Sequence, residues 1–152
     1  MKVVKGFFLG IGAVVAAVVL LGGYLYNSAQ STLPKTQAAI EMFLTDLTEN
    51  WDFEKVATQM TERNLADMRS VQRSGALIQI AKLGRYQKSE DLRFVHYQTS
   101  ASASITVVEL LGHFESGRAR MQISVEQQGG TQRIAGFKLL LDGPIMPRTT
   151  RL

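Results

Sequence analysis

Few residues in this chain have the type and spacing to do chemistry, and its two histidines stand among them. Glu109, His113 and Glu115 recur at strand spacing, opposite Val108, Leu110 and Phe114, so they share the wet face of a strand. Imidazole and carboxylates ligate metals, but a metal site also needs convergent geometry and supporting neighbours. Strung along one strand, the three read as a solvated face, and no metal is expected. His96 has the parity of Leu92 and Phe94 and is expected to face inward. There it would be the polar member of a candidate pocket for a small apolar ligand, walled by Trp51, Phe94, Phe114 and Phe137, since ligand pockets combine aromatic walls with a few polar groups. The competing reading makes His96 a satisfied core or rim histidine and Trp51 ordinary core. Ser100, Ser102 and Ser104 alternate with alanines, and no His–Asp pair is placed to activate a serine. The sequence has no cysteine, no glycine-rich phosphate loop and no H-E-x-x-H, so the common nucleophilic, phosphate-binding and zinc signatures are missing. No catalytic residue and no cofactor is expected.

The elements that must position these residues centre on Leu92 to Leu141, where four apolar-alternating segments are separated by turn clusters. Met121, Ile123 and Val125 alternate with Arg120, Gln122, Ser124 and Glu126, the period of two expected of a strand with one buried face. Ile105 to Glu115 and Arg133 to Leu141 repeat the pattern. Glu115-Ser116-Gly117-Arg118 supplies one turn. Gln128-Gly129-Gly130-Thr131 supplies a stronger one, because a two-glycine loop suits the turns whose twist matches their flanking strands. Gly136 is expected to mark a bulge that lets Ile134 share a face with Phe137, Leu139 and Leu141. The whole predicts a four-stranded antiparallel meander.

Ahead of the meander, Pro34 suits the first position of a helix. Ile40, Phe43, Leu44, Leu47 and Trp51 then fall on a single helical face, which predicts a helix lying on the sheet. Asp52 and Thr61 are candidate caps for two further helices, one carrying Phe53, Val56, Ala57 and Met60, the other Leu65, Met68 and Val71. Ala76 to Leu83 predicts a short helix ended by Gly84 in left-handed geometry. Arg85 to Asp91 reads as a charged connection, and residues 142–152, with two prolines and no periodicity, as a flexible tail.

The 152 residues suffice for one domain and an appendage. Residues 6–26 form an uncharged run of 21, enough to cross a bilayer core that needs roughly 20. Lys2 and Lys5 precede it and no basic residue follows until Lys35, so the positive-inside rule predicts an N-terminus in the cytoplasm and a domain outside it, in the periplasm of a two-membrane cell. A cleaved signal peptide is the alternative, with a small-x-small exit at Ala29-Gln30-Ser31, but the run exceeds the roughly 7–15 residues usual there. Within it Gly6 and Gly10, then Ala13 and Ala17, are four apart, a spacing that lets membrane helices approach closely; glycine and alanine are also simply common in such helices. Beyond the run, 15 Lys and Arg face 13 Asp and Glu, too even a balance for a nucleic-acid surface. The organisation expected is a transmembrane anchor (1–26), a linker (27–33), an α+β domain (34–141) and a tail (142–152).

Helices followed by an unbroken meander indicate α+β segregation. Trp-Asp-Phe-Glu-Lys-Val (51–56) after an amphipathic helix, Leu83-Gly84 ending a short helix, and Arg-Ile-Ala-Gly-Phe-Lys-Leu (133–139) in the last strand resemble the nuclear-transport-factor-2-like superfamily, in particular its small exported bacterial members. The resemblance covers about residues 34–141. It implies a curved sheet wrapped round the first long helix to make a cone that can hold a pocket. The ketosteroid-isomerase-like and SnoaL-like branches place acidic or His residues inside that cone, and no such motif matches here residue by residue. The expected function is non-enzymatic: a single-pass membrane protein presenting an interaction domain to a protein partner or to a second copy, as an accessory or assembly subunit of an envelope complex. A cone for a small apolar ligand, or a SnoaL-like enzyme, is the alternative.

Overall fold

A computed structural model describes residues 32–140, so the expected anchor with Gly6, Gly10, Ala13 and Ala17, and the expected tail, lie outside the described residues. Among the described residues no helix is long and apolar enough to cross a membrane. The chain divides into two units, Met1–Pro34 and Lys35–Leu152. Apart from the first three residues of its first helix, everything below belongs to the second unit.

Helix α1 is helical over residues 32–50, so Thr32 and Leu33, expected as linker, are already helical and Pro34 is not the first helical residue. Its buried face is the predicted one: Ile40, Phe43, Leu44 and Leu47 are each at most 1% exposed, worth roughly 1.5–3 kcal/mol apiece in transfer from water. The helix ends at Trp51, which takes a left-handed backbone (φ 52°), a cap conformation normally given to glycine.

After Trp51 the structure departs from expectation. Residues 53–60 form turns and one 3-10 turn, Ala57–Gln59, instead of a second α-helix. Asp52 does act locally, its Oδ1 accepting the Glu54 N–H at 3.0 Å. The apolar set is still buried: Phe53, Val56 and Met60 are at most 3% exposed. Helix α2 (Glu62–Arg73) starts where predicted, with the Thr61 hydroxyl accepting the Asn64 N–H. Helix α3 (Ala76–Ala81) follows, and Gly84 takes the left-handed conformation predicted for it (φ 77°).

Strands β1 (Tyr86–Thr99), β2 (Ser104–Phe114), β3 (Gly117–Gln128) and β4 (Thr131–Leu140) form one antiparallel sheet in the order β1-β2-β3-β4, so the α+β class and the meander hold. β1 begins six residues before the expected Leu92, taking in the stretch read as a charged connection. The glycines between β3 and β4 both have positive φ, 56° and 81°, as the tight turn requires. In β4, Ser124 pairs with Gly136 while Val125 pairs with Ile134. Ala135 is therefore the extra residue of a bulge, which returns Ile134 to the inner face, 2% exposed. That face, with Val108, Leu110, Met121, Ile123 and Val125 all at most 2% exposed, receives α1: Phe43 meets Phe137 edge-on at 5.9 Å between ring centroids.

Candidate functional site

The end of α1 meets the end of α3 at an aromatic node. Trp51 is buried, its indole N–H donates to the Gly84 carbonyl at 3.0 Å, and its ring stacks on Phe114 at 6.0 Å and 28°. Tyr86 also meets Phe114, edge-on at 5.8 Å. A left-handed non-glycine residue costs roughly 1–2 kcal/mol, which burial of the large indole and its hydrogen bond more than offset. The β2–β3 turn docks on the same node: Glu115 N–H donates to Arg85 O at 3.0 Å, Ser116 N–H to Leu83 O at 2.9 Å, and Glu115 Oε2 accepts the Arg85 N–H at 3.0 Å.

Beside the node lies a polar cluster on the inner face. Tyr86 donates its hydroxyl proton to Glu41 Oε2 at 2.5 Å, the Ser89 hydroxyl donates to Glu41 Oε1, and the Tyr86 N–H donates to the Thr48 hydroxyl at 2.8 Å. Burial first, then the bond to the Glu41 carboxylate, pushes the Tyr86 phenol above the ordinary tyrosine range. The cluster ties β1 to α1. A neighbouring notch of about 280 Å³, bordered by Asp46, Glu49 and Arg85, is open and of mixed charge, and its Asp46 already accepts from Gln59 at 2.7 Å.

A second concavity is an apolar cleft of about 200 Å³. Trp51 and Phe53 form its floor with Phe137 and Leu139 of β4. Met68 and Val71 of α2 and Leu77 and Ile80 of α3 form its wall, and Lys138 is the one charged residue at its border.

The five residues expected to share a pocket are therefore split. Trp51 and Phe137 line the cleft, and Phe114 is core behind it, 4% exposed. Phe94 is on the inner face opposite Val108 but beyond the helices that cover it, and is 42% exposed. His96 does not face inward. The register shifts by one residue between Phe94 and His96, so Val95 is the extra residue and the histidine swings to the outer face opposite Val107, where it is exposed.

The outer face of the sheet carries a set of ion pairs. Glu109 accepts from Arg120 at 2.9 Å and Arg93 at 3.4 Å, and His113 Nε2 lies 3.1 Å from Glu90 Oε2. Lys88 first, then His113, holds the Glu90 carboxyl below the usual carboxylate range. Glu109 and His113 thus stand on the expected solvent side, but Glu115 belongs to the turn. Among the described residues no three His, Asp or Glu side chains converge on a metal position. Lys138 and the α2–α3 wall are the members of this surface that strand periodicity could not supply, because α2 and α3 bring them together only in three dimensions. Compared with known proteins, the chain matches no family model, no curated protein and no solved structure.

Proposed function

We propose that the chain is a non-enzymatic interaction protein: a membrane-anchored domain, presented outside the cytoplasm, that serves as an accessory or assembly subunit of an envelope complex. The observation that carries this reading is that the polar residues around the node and along β2 are committed to one another. Trp51 is bonded to Gly84, Tyr86 and Ser89 to Glu41, and Glu109 to two arginines, and the cleft beside the node, about 200 Å³, is apolar. Pockets for small molecules usually run to roughly 300–1,000 Å³, so this cleft suits one or two side chains of a partner. The uncharged run at 6–26 behind Lys2 and Lys5 supports the anchor and its orientation. The order of helices and meander supports a nuclear-transport-factor-2-like architecture.

The membrane fraction, run on a native gel, tests the reading. The chain is expected in a species heavier than the monomer, and Ile78→Glu, at a side chain 69% exposed on α3, is expected to release it without unfolding. A reporter active only outside the cytoplasm, fused after Leu152, should be active. The second reading, a cleft for a small apolar ligand, is favoured by Trp51 and Phe137 among its walls. Saturable one-to-one binding of anilinonaphthalene sulfonate that quenches Trp51, from a chain that runs as a monomer, would favour it instead.

A further inference from the structure

Among the described residues the sheet has an unpaired edge at the cleft. Met60 meets β4 in a single parallel bridge at Ile134, where the Thr61 N–H donates to Ile134 O at 3.0 Å and Asn64 Nδ2 at 3.2 Å. The chain then turns into α2. From Gly136 to Leu140 β4 pairs with β3 on one side, and among the described residues nothing pairs along the other. Unpaired strand edges template further strands, and this one runs directly past an apolar cleft.

The register states what a strand added there would meet. Phe137 and Leu139 pair with Ile123 and Met121, so they point to the inner face and the cleft. Lys138 pairs with Gln122 on the outer face, is exposed, and is in no ion pair among the described residues. The outer-face acid nearest in that row, Glu109, is already held by Arg93 and Arg120. β4 carries Arg133 and Lys138 and no acidic residue, and α2 ends on Arg73. A visiting strand has period two, so the side chains that enter the cleft must be apolar and those between them stand beside Lys138.

We propose that an extended polypeptide segment alternating apolar with acidic residues docks as a fifth strand on β4 from Gly136 to Leu140, with its apolar side chains in the cleft and an acidic one at Lys138. The inference rests on the interaction reading and names the partner's chemistry. Charge disfavours two other occupants. Residues 141–152 carry Arg148 and Arg151 against Asp142, and β4 of a second copy would set Lys138 beside a basic strand. Main-chain pairing supplies affinity in this mode of recognition and alternate side-chain pockets supply specificity.

The chain has one tryptophan, it lines the cleft, and its fluorescence reads occupancy in the full 152-residue protein. The probe is the end-blocked hexapeptide Asp-Leu-Glu-Leu-Asp-Leu. Saturable change is expected, with the dissociation constant about tenfold weaker for Lys138→Glu, whose exposed side chain can reverse charge without unfolding the domain. N-methylation of the peptide backbone should abolish binding at alternate amides and spare those between, because only every second amide faces β4. No saturation at millimolar peptide, unchanged affinity for Lys138→Glu, or equal loss from methylation at every amide overturns the proposal. Binding seen only after residues 141–152 are removed assigns the edge to the chain's own tail, and peptide that merely dissociates a dimer assigns it to a second copy; either overturns it as well. The native-gel experiment is independent, so a heavy species that persists beside a failed peptide titration leaves the interaction reading standing and moves the partner to another surface.

Discussion

Phe114→Ala and Phe94→Ala remove the same side chain from the same face of the sheet, and the structure gives them very different costs. Phe114 is 4% exposed and touches two rings, Trp51 at 6.0 Å and Tyr86 at 5.8 Å. Truncating a buried phenylalanine costs about 3–5 kcal/mol, and each aromatic contact is worth about 0.5–1.5 kcal/mol beyond its buried area. The loss should therefore sit in the upper part of that range, about 4–5 kcal/mol. Against a total of about 5–15 kcal/mol for a domain, that is about a quarter of the stability or more. Phe94 has lost the cover of the helices, and its truncation should cost less than about 1 kcal/mol. Urea unfolding checks both, followed by Trp51 fluorescence at the node and by far-ultraviolet circular dichroism for the whole domain. The two probes should coincide and the urea slope should stay unchanged, so that the midpoint alone carries the difference. Equal midpoints for the two variants would refute the assignment of Phe114 to the core and Phe94 to the surface.

Three further outcomes are expected. Tyrosine in the unfolded chain ionises near pH 10, whereas the Tyr86 phenol is held higher by burial and by Glu41. The folded chain thus keeps a proton that the unfolded chain has lost, so stability from this group is complete below about pH 10 and falls as pH rises past it. Tyr86→Phe should remove that component of the alkaline slope in denaturation curves. Gly84→Ala places a Cβ in a left-handed backbone, 2.7 Å from Glu115 Oε2 and 3.0 Å from Glu115 Cβ; a loss of at least about 1 kcal/mol is expected, with faster hydrogen exchange at the Glu115 and Ser116 amides. His96→Ala should change stability by no more than about 0.5 kcal/mol, and a loss above about 1.5 kcal/mol would put the ring inside the core.

How legible each element was depended on how many of its faces are buried. β2 and β3 have one buried and one wetter face throughout, so Met121, Ile123 and Val125 announce both the strand and its orientation. β1 is an edge strand with little cover on either face, and no period of two survives in Tyr86 to Asp91 to mark its start. The same strand misplaced His96, because parity counts residues and a bulge adds one without altering composition. Residues 53–60 failed for a different reason. Phe53, Val56, Ala57 and Met60 are spaced for an α-helix, but successive tight turns with three residues each also bury i and i+3 together. The segment must also leave a left-handed Trp51 and arrive extended at Met60, whose ψ is 153°, which leaves no room for an α-helix of useful length. Of the candidate site, Trp51 and Phe137 were visible as large aromatics. Lys138 was not singled out, since its significance comes from the edge it stands on.

The irregularity of β1 bears on how many neighbours this sheet can accept. Its pairing with β2 breaks three times, between Tyr86 and Lys88, Glu90 and Arg93, and Phe94 and His96, and Asp91 sits within the second break at φ 53°. The longest unbroken run is His96 to Thr99. Bulges of this kind twist an edge away from incoming strands, whereas β4 is regular from Gly136 onward. A sheet with two receptive edges has a valence of two and can propagate head to tail into a fibre; blocking one edge leaves a valence of one. The domain can then terminate a stack of strands but cannot extend it, so a docked strand ends the assembly instead of seeding a fibre.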